Sequence, residues 1–189
     1  MKDVGQCSPQ EVKRQMTDLS PFAQRRRLSL QAAVAMGAIG ALGLAGCAGR
    51  DPAPDSTFVL LDGSKATTAD LKGKVTLVNF WATTCVTCVK EMPSIVATYK
   101  KYQGQGFDTV AVAMEYDPPA WVLNFAHSRQ LPFKVALDNT GDIAKQWGDV
   151  KLTPTTYLVD KQGRIVKRFV GEPDFPALHT LIEELLAQA

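Results

Sequence analysis

Cys85 and Cys88 stand two residues apart, behind a short apolar run, Val75–Phe80 (VTLVNF), and ahead of a stretch carrying Met92, Ile95, Val96 and Tyr99 at helical spacing. The order is strand, Cys-Val-Thr-Cys, helix. The first turn of a helix has unpaired N–H groups and the positive end of the dipole. Both favour a thiolate over a thiol and lower the pKa of the first cysteine. Two intervening helical residues bring the second sulfur within reach, so the pair is built for thiol–disulfide exchange. Two other uses are weaker. Free cysteines pack as small hydrophobes, and zinc needs four ligands, usually two such pairs. The chain has four cysteines but no second pair, and His127 and His179 lie far apart in sequence. No metal or other cofactor is expected.

The elements that must hold the pair alternate between strand and helix, which points to a mixed α/β domain. Thr57–Leu61 reads as a strand ended by an Asp62-Gly63 turn, and Ala69–Lys72 as a helical turn closed by Gly73. After strand 75–80 come a helix from Cys85 to Gln103, a buried strand Phe107–Met114 and a helix Pro119–Gln130 with Pro in its first turn. A short strand at Val135–Leu137 and a helix at Thr140–Trp147, stopped by Gly148, follow. Thr155–Val159 and Arg164–Val170 form a hairpin across Asp160–Gly163, and Phe175–Ala187 is a final amphipathic helix.

Upstream the character changes. Residues 1–46 hold six of the 21 basic and three of the 19 acidic side chains, so the rest of the chain is slightly acidic. The folded part has no basic excess to attract phosphate, and nucleic-acid binding is not expected. Arg25-Arg26-Arg27 precede a weakly apolar run of 15 residues, Ala32–Gly46, with four glycines. A spanning helix needs about 20 strongly apolar residues. The pattern reads as a signal peptide over 1–46, of secretory or twin-arginine type. Leu44-Ala45-Gly46-Cys47 resembles a bacterial lipobox, which implies removal of 1–46, Cys7 included, and lipidation of Cys47. Two acyl-type anchors there would hold the chain at a membrane. Residues 47–56 read as the lipidated N-terminus and a linker, and 57–189 as the domain. Export places Cys85 and Cys88 where disulfides persist.

The segment NFWATTCVTCVKEMP resembles the active-site segment of the thioredoxin superfamily, in particular its TlpA/ResA-like branch of membrane-tethered thiol reductases. The likeness extends over most of 57–187: the leading FVLLDGSKATTADLKGKV, Phe80-Trp81-Ala82 before the cysteines, Pro93 five residues after the second, and Leu152-Thr153-Pro154-Thr155-Thr156, similar to the family's cis-proline loop. It implies a thioredoxin fold: a central mixed sheet flanked by helices, with an N-terminal strand extension and a central helical insert near Pro119–Gln130. It implies that Cys85 attacks a substrate disulfide and Cys88 resolves the mixed disulfide. Pro154 is then cis and faces the cysteines, with Thr153 supporting it. Glu91 matches the family's acidic residue. Three residues past Cys88 it shares that helix face, so burial would raise its pKa and let it exchange a proton with Cys88; a plain dipole-complementing role is the competing reading. Trp81 is expected to pack beside the disulfide and Pro93 to kink the helix. Glu115, Asp117 and the two histidines read as surface or packing residues.

Two positions depart from the family. Thr84 stands where Trp is usual, and Thr87 where Pro is frequent before the second cysteine. Thr87 restores an N–H that Pro lacks, a further donor near Cys85. No His lies between the cysteines to give an oxidant its cationic stabilisation. The resemblance therefore implies a reductant of oxidised exported proteins, as in cytochrome c maturation, fed by a membrane electron donor. Two alternatives stand beside it. A peroxiredoxin wants Thr four residues before its reactive Cys, where Trp81 stands. A copper-delivery lipoprotein of the same fold resembles Cys-x-x-x-Cys plus a distal His, a longer spacing than the one present.

Overall fold

The computed structural model describes residues 49–188. The readings of 1–46 as a signal peptide, of Cys7 and of Cys47 as a lipidation site fall outside the described residues.

Seven strands form one mixed sheet: β1 Thr57–Leu60, β2 Lys65–Thr67, β3 Val75–Trp81, β4 Phe107–Ala113, β5 Lys134–Leu137, β6 Thr155–Val159 and β7 Ile165–Val170, in the order β2-β1-β5-β4-β3-β6-β7. The helices are α1 Val86–Tyr102, α2 Pro119–Ser128, α3 Asp142–Gln146 and α4 Phe175–Ala187. β3, β4 and β5 are parallel, joined through α1 and α2, while β6–β7 and β1–β2 add antiparallel margins. This is the thioredoxin arrangement with the N-terminal strand extension and the helical insert that the sequence resemblance implies.

β3 and β4 are buried along their whole length and are mostly apolar, interrupted at Thr76, Asn79, Asp108 and Thr109. Side chains alternate across a strand. Val75, Leu77 and Trp81 therefore enter one core layer with Met92 and Ile95 of α1, Val122 and Ala126 of α2, and Leu178, Ile182 and Leu185 of α4. Val78 and Phe80 enter the other, with Phe58, Ile143, Trp147 and Tyr157. The Trp147 ring lies 5.2 Å from Tyr157 and 6.0 Å from Phe80, centroid to centroid, and Tyr157 donates to the Trp147 carbonyl.

The structure corrects two boundaries and adds a strand. Residues 47–56 are not a free linker throughout, because the segment is docked from Asp51 onward. Ile165 N–H donates to the Asp51 carbonyl at 2.8 Å and Ala53 N–H to the Gly163 carbonyl at 2.9 Å. The start of β7 has unpaired main-chain groups on its open edge, and this segment satisfies them. Ser56 is then buried, its N–H on Thr68 Oγ1 and its hydroxyl between Gln146 and Trp147. β2 was not expected from its three residues; the Asp62–Ser64 turn folds it back onto β1. The helix expected over Thr140–Trp147 is shorter, beginning at Asp142 after Gly141, whose φ of 74° ends the preceding turn. Its first amides are held by the buried carboxylate of Asp138, which accepts from Ile143 N–H and Ala144 N–H at 3.1 and 2.8 Å.

Candidate active site

β3 delivers the chain to Trp81, and Ala82–Cys85 form a turn closed by Cys85 N–H on the Ala82 carbonyl at 3.2 Å. Cys85 has extended geometry and is the N-cap of α1, its Sγ accepting the Cys88 N–H at 3.1 Å. A sulfur thus occupies the place where Ser or Asp usually caps a helix. Cys85 and Cys88 are joined as a disulfide, with Cα atoms 5.2 Å apart. Cys85 is half-buried and Cys88 has no exposed surface. That asymmetry divides the labour: a substrate sulfur can reach only Cys85, and Cys88 can act only on what Cys85 holds. The amide that serves Cys85 Sγ is that of Cys88; Thr87 is exposed, and its N–H is not the donor.

Glu91 lies one helical turn beyond Cys88 and is equally devoid of exposed surface. Asn79 of β3 donates to its Oε1 at 3.0 Å and to Thr156 Oγ1 of β6 at 2.9 Å. Among the described residues Glu91 Oε2 has no partner. Burial pushes the Glu91 carboxyl up to about 7; the Asn79 hydrogen bond pulls it down, and the charge of Glu172 adds to the rise. A carboxyl that titrates near neutrality beside a buried thiol can take up and return a proton there. Glu91 is the sixth residue of α1, beyond the first turn to which the dipole effect is confined.

β6 pairs with β3 with Thr155 opposite Phe80 and Thr156 opposite Asn79. Pro154 therefore arrives at the end of β3 from which the cysteines depart. The Thr153–Pro154 bond is cis, and Pro154 is buried with its carbonyl taken by Gly171 N–H at 2.8 Å. Trp81 is fully buried in the same layer as Cys88, 5.1 Å from the Phe125 ring of α2. Val86 next to Cys85, Leu152 in the loop before Pro154 and Tyr116, bonded to Thr153, are exposed at 83%, 66% and 55%. Pro93 lies inside α1, where it withholds an N–H from the preceding turn.

Two residues of this site escaped the sequence reading. Asn79 is the lone amide in an otherwise apolar β3 stripe, and that interruption was its signal. Asp117, read as surface or packing, is buried and grips the turn before Cys85. Its Oδ2 accepts Thr83 N–H and its Oδ1 accepts Thr83 Oγ1–H, each at 2.6 Å. His179 binds Thr98 at 2.9 Å beside Tyr102, at the far half of α1, and takes no part in the site. Among the described residues no group of His, Cys, Asp or Glu is placed to hold a metal ion.

The family model described as Redoxin matches residues 48–182. The thiol-disulfide oxidoreductase ResA of Bacillus thuringiensis is 35% identical over 133 residues, which span 70% of this chain and 76% of that protein. A solution structure assigned as a thioredoxin of Neisseria meningitidis superposes with a TM-score of 0.69 at 37% identity, covering 75% of this chain and 93% of that one. The exposed lipoprotein thioredoxin of Streptococcus pneumoniae superposes with a TM-score of 0.61 at 25% identity, covering 69% of this chain and 99% of that one.

Proposed function

Because the chain belongs to the Redoxin family and is a thiol–disulfide oxidoreductase with its redox pair at Cys85 and Cys88, we propose that it reduces disulfides of exported proteins from the outer face of a bacterial membrane. In this reading Cys47 carries the lipid anchor, and the clients include oxidised partners of cytochrome c maturation. The observation that carries the reductive role is the buried Cys88–Glu91 pair behind a half-buried Cys85. The lipoprotein thioredoxin of S. pneumoniae supports an extracytoplasmic place, as does the lipobox-like Leu44–Cys47.

The cycle starts from the dithiol. Cys85 thiolate attacks one sulfur of the client disulfide, the client S–S bond breaks, and one client thiolate leaves. Glu91 takes the proton from Cys88, whose thiolate then attacks Cys85 Sγ. The mixed disulfide breaks, the second client thiol leaves, and the Cys85–Cys88 disulfide seen in the structure remains. Two electrons have passed to the client, and an external dithiol donor at the membrane restores the pair. Val86, Leu152 and Tyr116 give a client apolar surface to cover in place of the Trp that Thr84 replaces.

Two measurements test this. A midpoint potential of the Cys85/Cys88 pair near or below roughly −220 mV supports a reductant, and one near about −120 mV would make the protein an oxidant. Cys88→Ala should capture clients on Cys85 as mixed disulfides in cells, and Cys47→Ser should release the protein from the membrane fraction. No captured client would count against the reductive role, and an unchanged membrane fraction against the lipid anchor.

A further inference from the structure

Asp117 does what its sequence position does not suggest. Asp-Pro-Pro at the head of a helix reads as a cap, yet α2 begins at Pro119 with Pro118 as its N-cap and no side chain on its first amides. Asp117 spends both carboxylate oxygens on Thr83 instead, across 34 residues of sequence. No salt bridge to Asp117 is formed among the described residues, so a buried carboxylate stands here without a cation. Such a group is costly unless hydrogen-bonded, and the two charge-assisted bonds to Thr83 supply that compensation.

Thr83 lies inside the Ala82–Cys85 turn. The same connection from β4 makes three further contacts. Met114 N–H donates to the Trp81 carbonyl at 3.0 Å, Asp117 N–H closes back on the Met114 carbonyl at 2.9 Å, and Tyr116 Oη meets Thr153 Oγ1 at 3.2 Å. One short segment at the entry to the insert therefore holds both loops that flank the disulfide, the nucleophile turn and the residue before Pro154.

We propose that Tyr116–Asp117 is a brace for the active site, and that Asp117 is a positioning residue that acts on Cys85 through Thr83. The clasp fixes the Ala82–Cys85 turn so that Cys85 Sγ meets the Cys88 N–H at the head of α1. Without it the turn relaxes and the thiolate loses its donor. Tyr116, bonded to Thr153, holds the opposite wall at the spacing a client strand needs. This deepens the thiol–disulfide exchange reading and rests on Cys85 being the nucleophile.

The test is the rate of iodoacetamide alkylation of the reduced protein as a function of pH, with peptide mass mapping to show which cysteine reacts. Asp117→Ala and Thr83→Val should each move the Cys85 midpoint to higher pH, by about half a unit to one unit. Thr83→Ser, which keeps the hydroxyl, should overlay the wild type. Asp117→Asn, which keeps an acceptor for Thr83 N–H, should move less than Asp117→Ala. Tyr116→Phe should raise KM for a protein disulfide several-fold. Loss of the Asp117 charge alone would shift the midpoint to lower pH, because a nearby negative charge disfavours a thiolate; the direction separates clasp from charge. Glu91, Glu172 and Lys90, the other ionisable groups on this side of α1, are the same in every variant. The brace is overturned if Asp117→Ala and Thr83→Val lower Tm yet leave the midpoint in place or move it to lower pH. First alkylation at Cys88 in the wild type would overturn the nucleophile assignment and the brace with it, and that result appears before any variant is made.

Discussion

Buried carboxylates occur at both ends of the sheet, and they are treated in opposite ways. At the end away from the cysteines, Asp160 accepts from Arg164 through main chain and side chain and from Arg50, and Asp108 binds Lys134 at 2.6 Å and Lys74 at 3.2 Å. Burial alone would raise both groups. The bonds from Arg164 and Arg50, and those from Lys134, Thr109 and Lys74, outweigh it and hold both below the usual carboxylate range. At the cysteine end, Glu91 has only the Asn79 amide, keeps an unpartnered oxygen, and is pushed up to about 7 by burial. The same functional group is held as an anion at one end and left close to its switching point at the other, where the proposed proton transfer takes place. Asp160 and Asp108 each have cations and N–H donors to offset burial, and Glu91 has one amide.

That contrast can be broken from either end. The largest effect is expected at the far pole. Asp160→Ala leaves Arg164 and Arg50 without their shared anion and the hairpin turn without its acceptor, and should lower stability by roughly 3 kcal/mol in urea unfolding, with the midpoint potential of the disulfide unchanged. Next comes Glu91→Gln, which keeps shape but removes the proton acceptor. It should slow turnover on a protein disulfide by about 10²-fold at pH 7, with the native circular-dichroism spectrum retained. A pH–rate profile identical to the wild type would return Glu91 to a structural part.

A third expectation sharpens the comparison by pH. Between the ordinary glutamate value of 4.5 and about 7 the native state holds a proton on Glu91 that the unfolded chain has released. The native state then binds more protons, so Glu91's contribution to stability falls as pH rises through that window. Glu91→Gln should therefore gain on the wild type from pH 4.5 to 7, by on the order of 3 kcal/mol at the top of the window. Asp160 and Asp108 work in the other direction. Their depressed values give stability that is present above the unfolded carboxylate range and lost as pH falls through the folded one. Wild type and Glu91→Gln unfolded in urea at a series of pH values should converge in acid; parallel curves would mean that Glu91 is not shifted. The smallest effect is Lys134→Ala, about 1 kcal/mol or less, because its ammonium is partly solvated and Lys74 remains on Asp108.

Much of this molecule is legible in one dimension. The strand–Cys-x-x-Cys–helix order is a local statement, carried by the apolar run of β3 and the helical spacing of Met92, Ile95 and Tyr99. Glu91 was within reach too, since a three-residue offset along a helix fixes the shared face with Cys88. Asp51–Ser56 is not legible in this way, for a physical reason. Small, polar, Pro-bearing residues look like a linker in composition, and only the open edge of β7 turns them into a docked strap.

By itself the sequence determined the Cys85–Cys88 pair between a strand and a helix and the order of the strands and helices other than β2, because each depends on neighbours within one or two turns of chain; the loop that carries Pro154 was legible only through the family resemblance. The tertiary structure alone decided how those sulfurs are tuned. Asn79 reaches Thr156 across 77 positions and Asp117 reaches Thr83 across 34. Sheet pairing brings the first pair together, and the return of the chain through β4 brings the second. Burial, which moves Glu91 towards neutrality, belongs to the packed layer and not to any stretch of residues. Local spacing chooses the chemistry; long-range packing sets the pH and the geometry at which it runs.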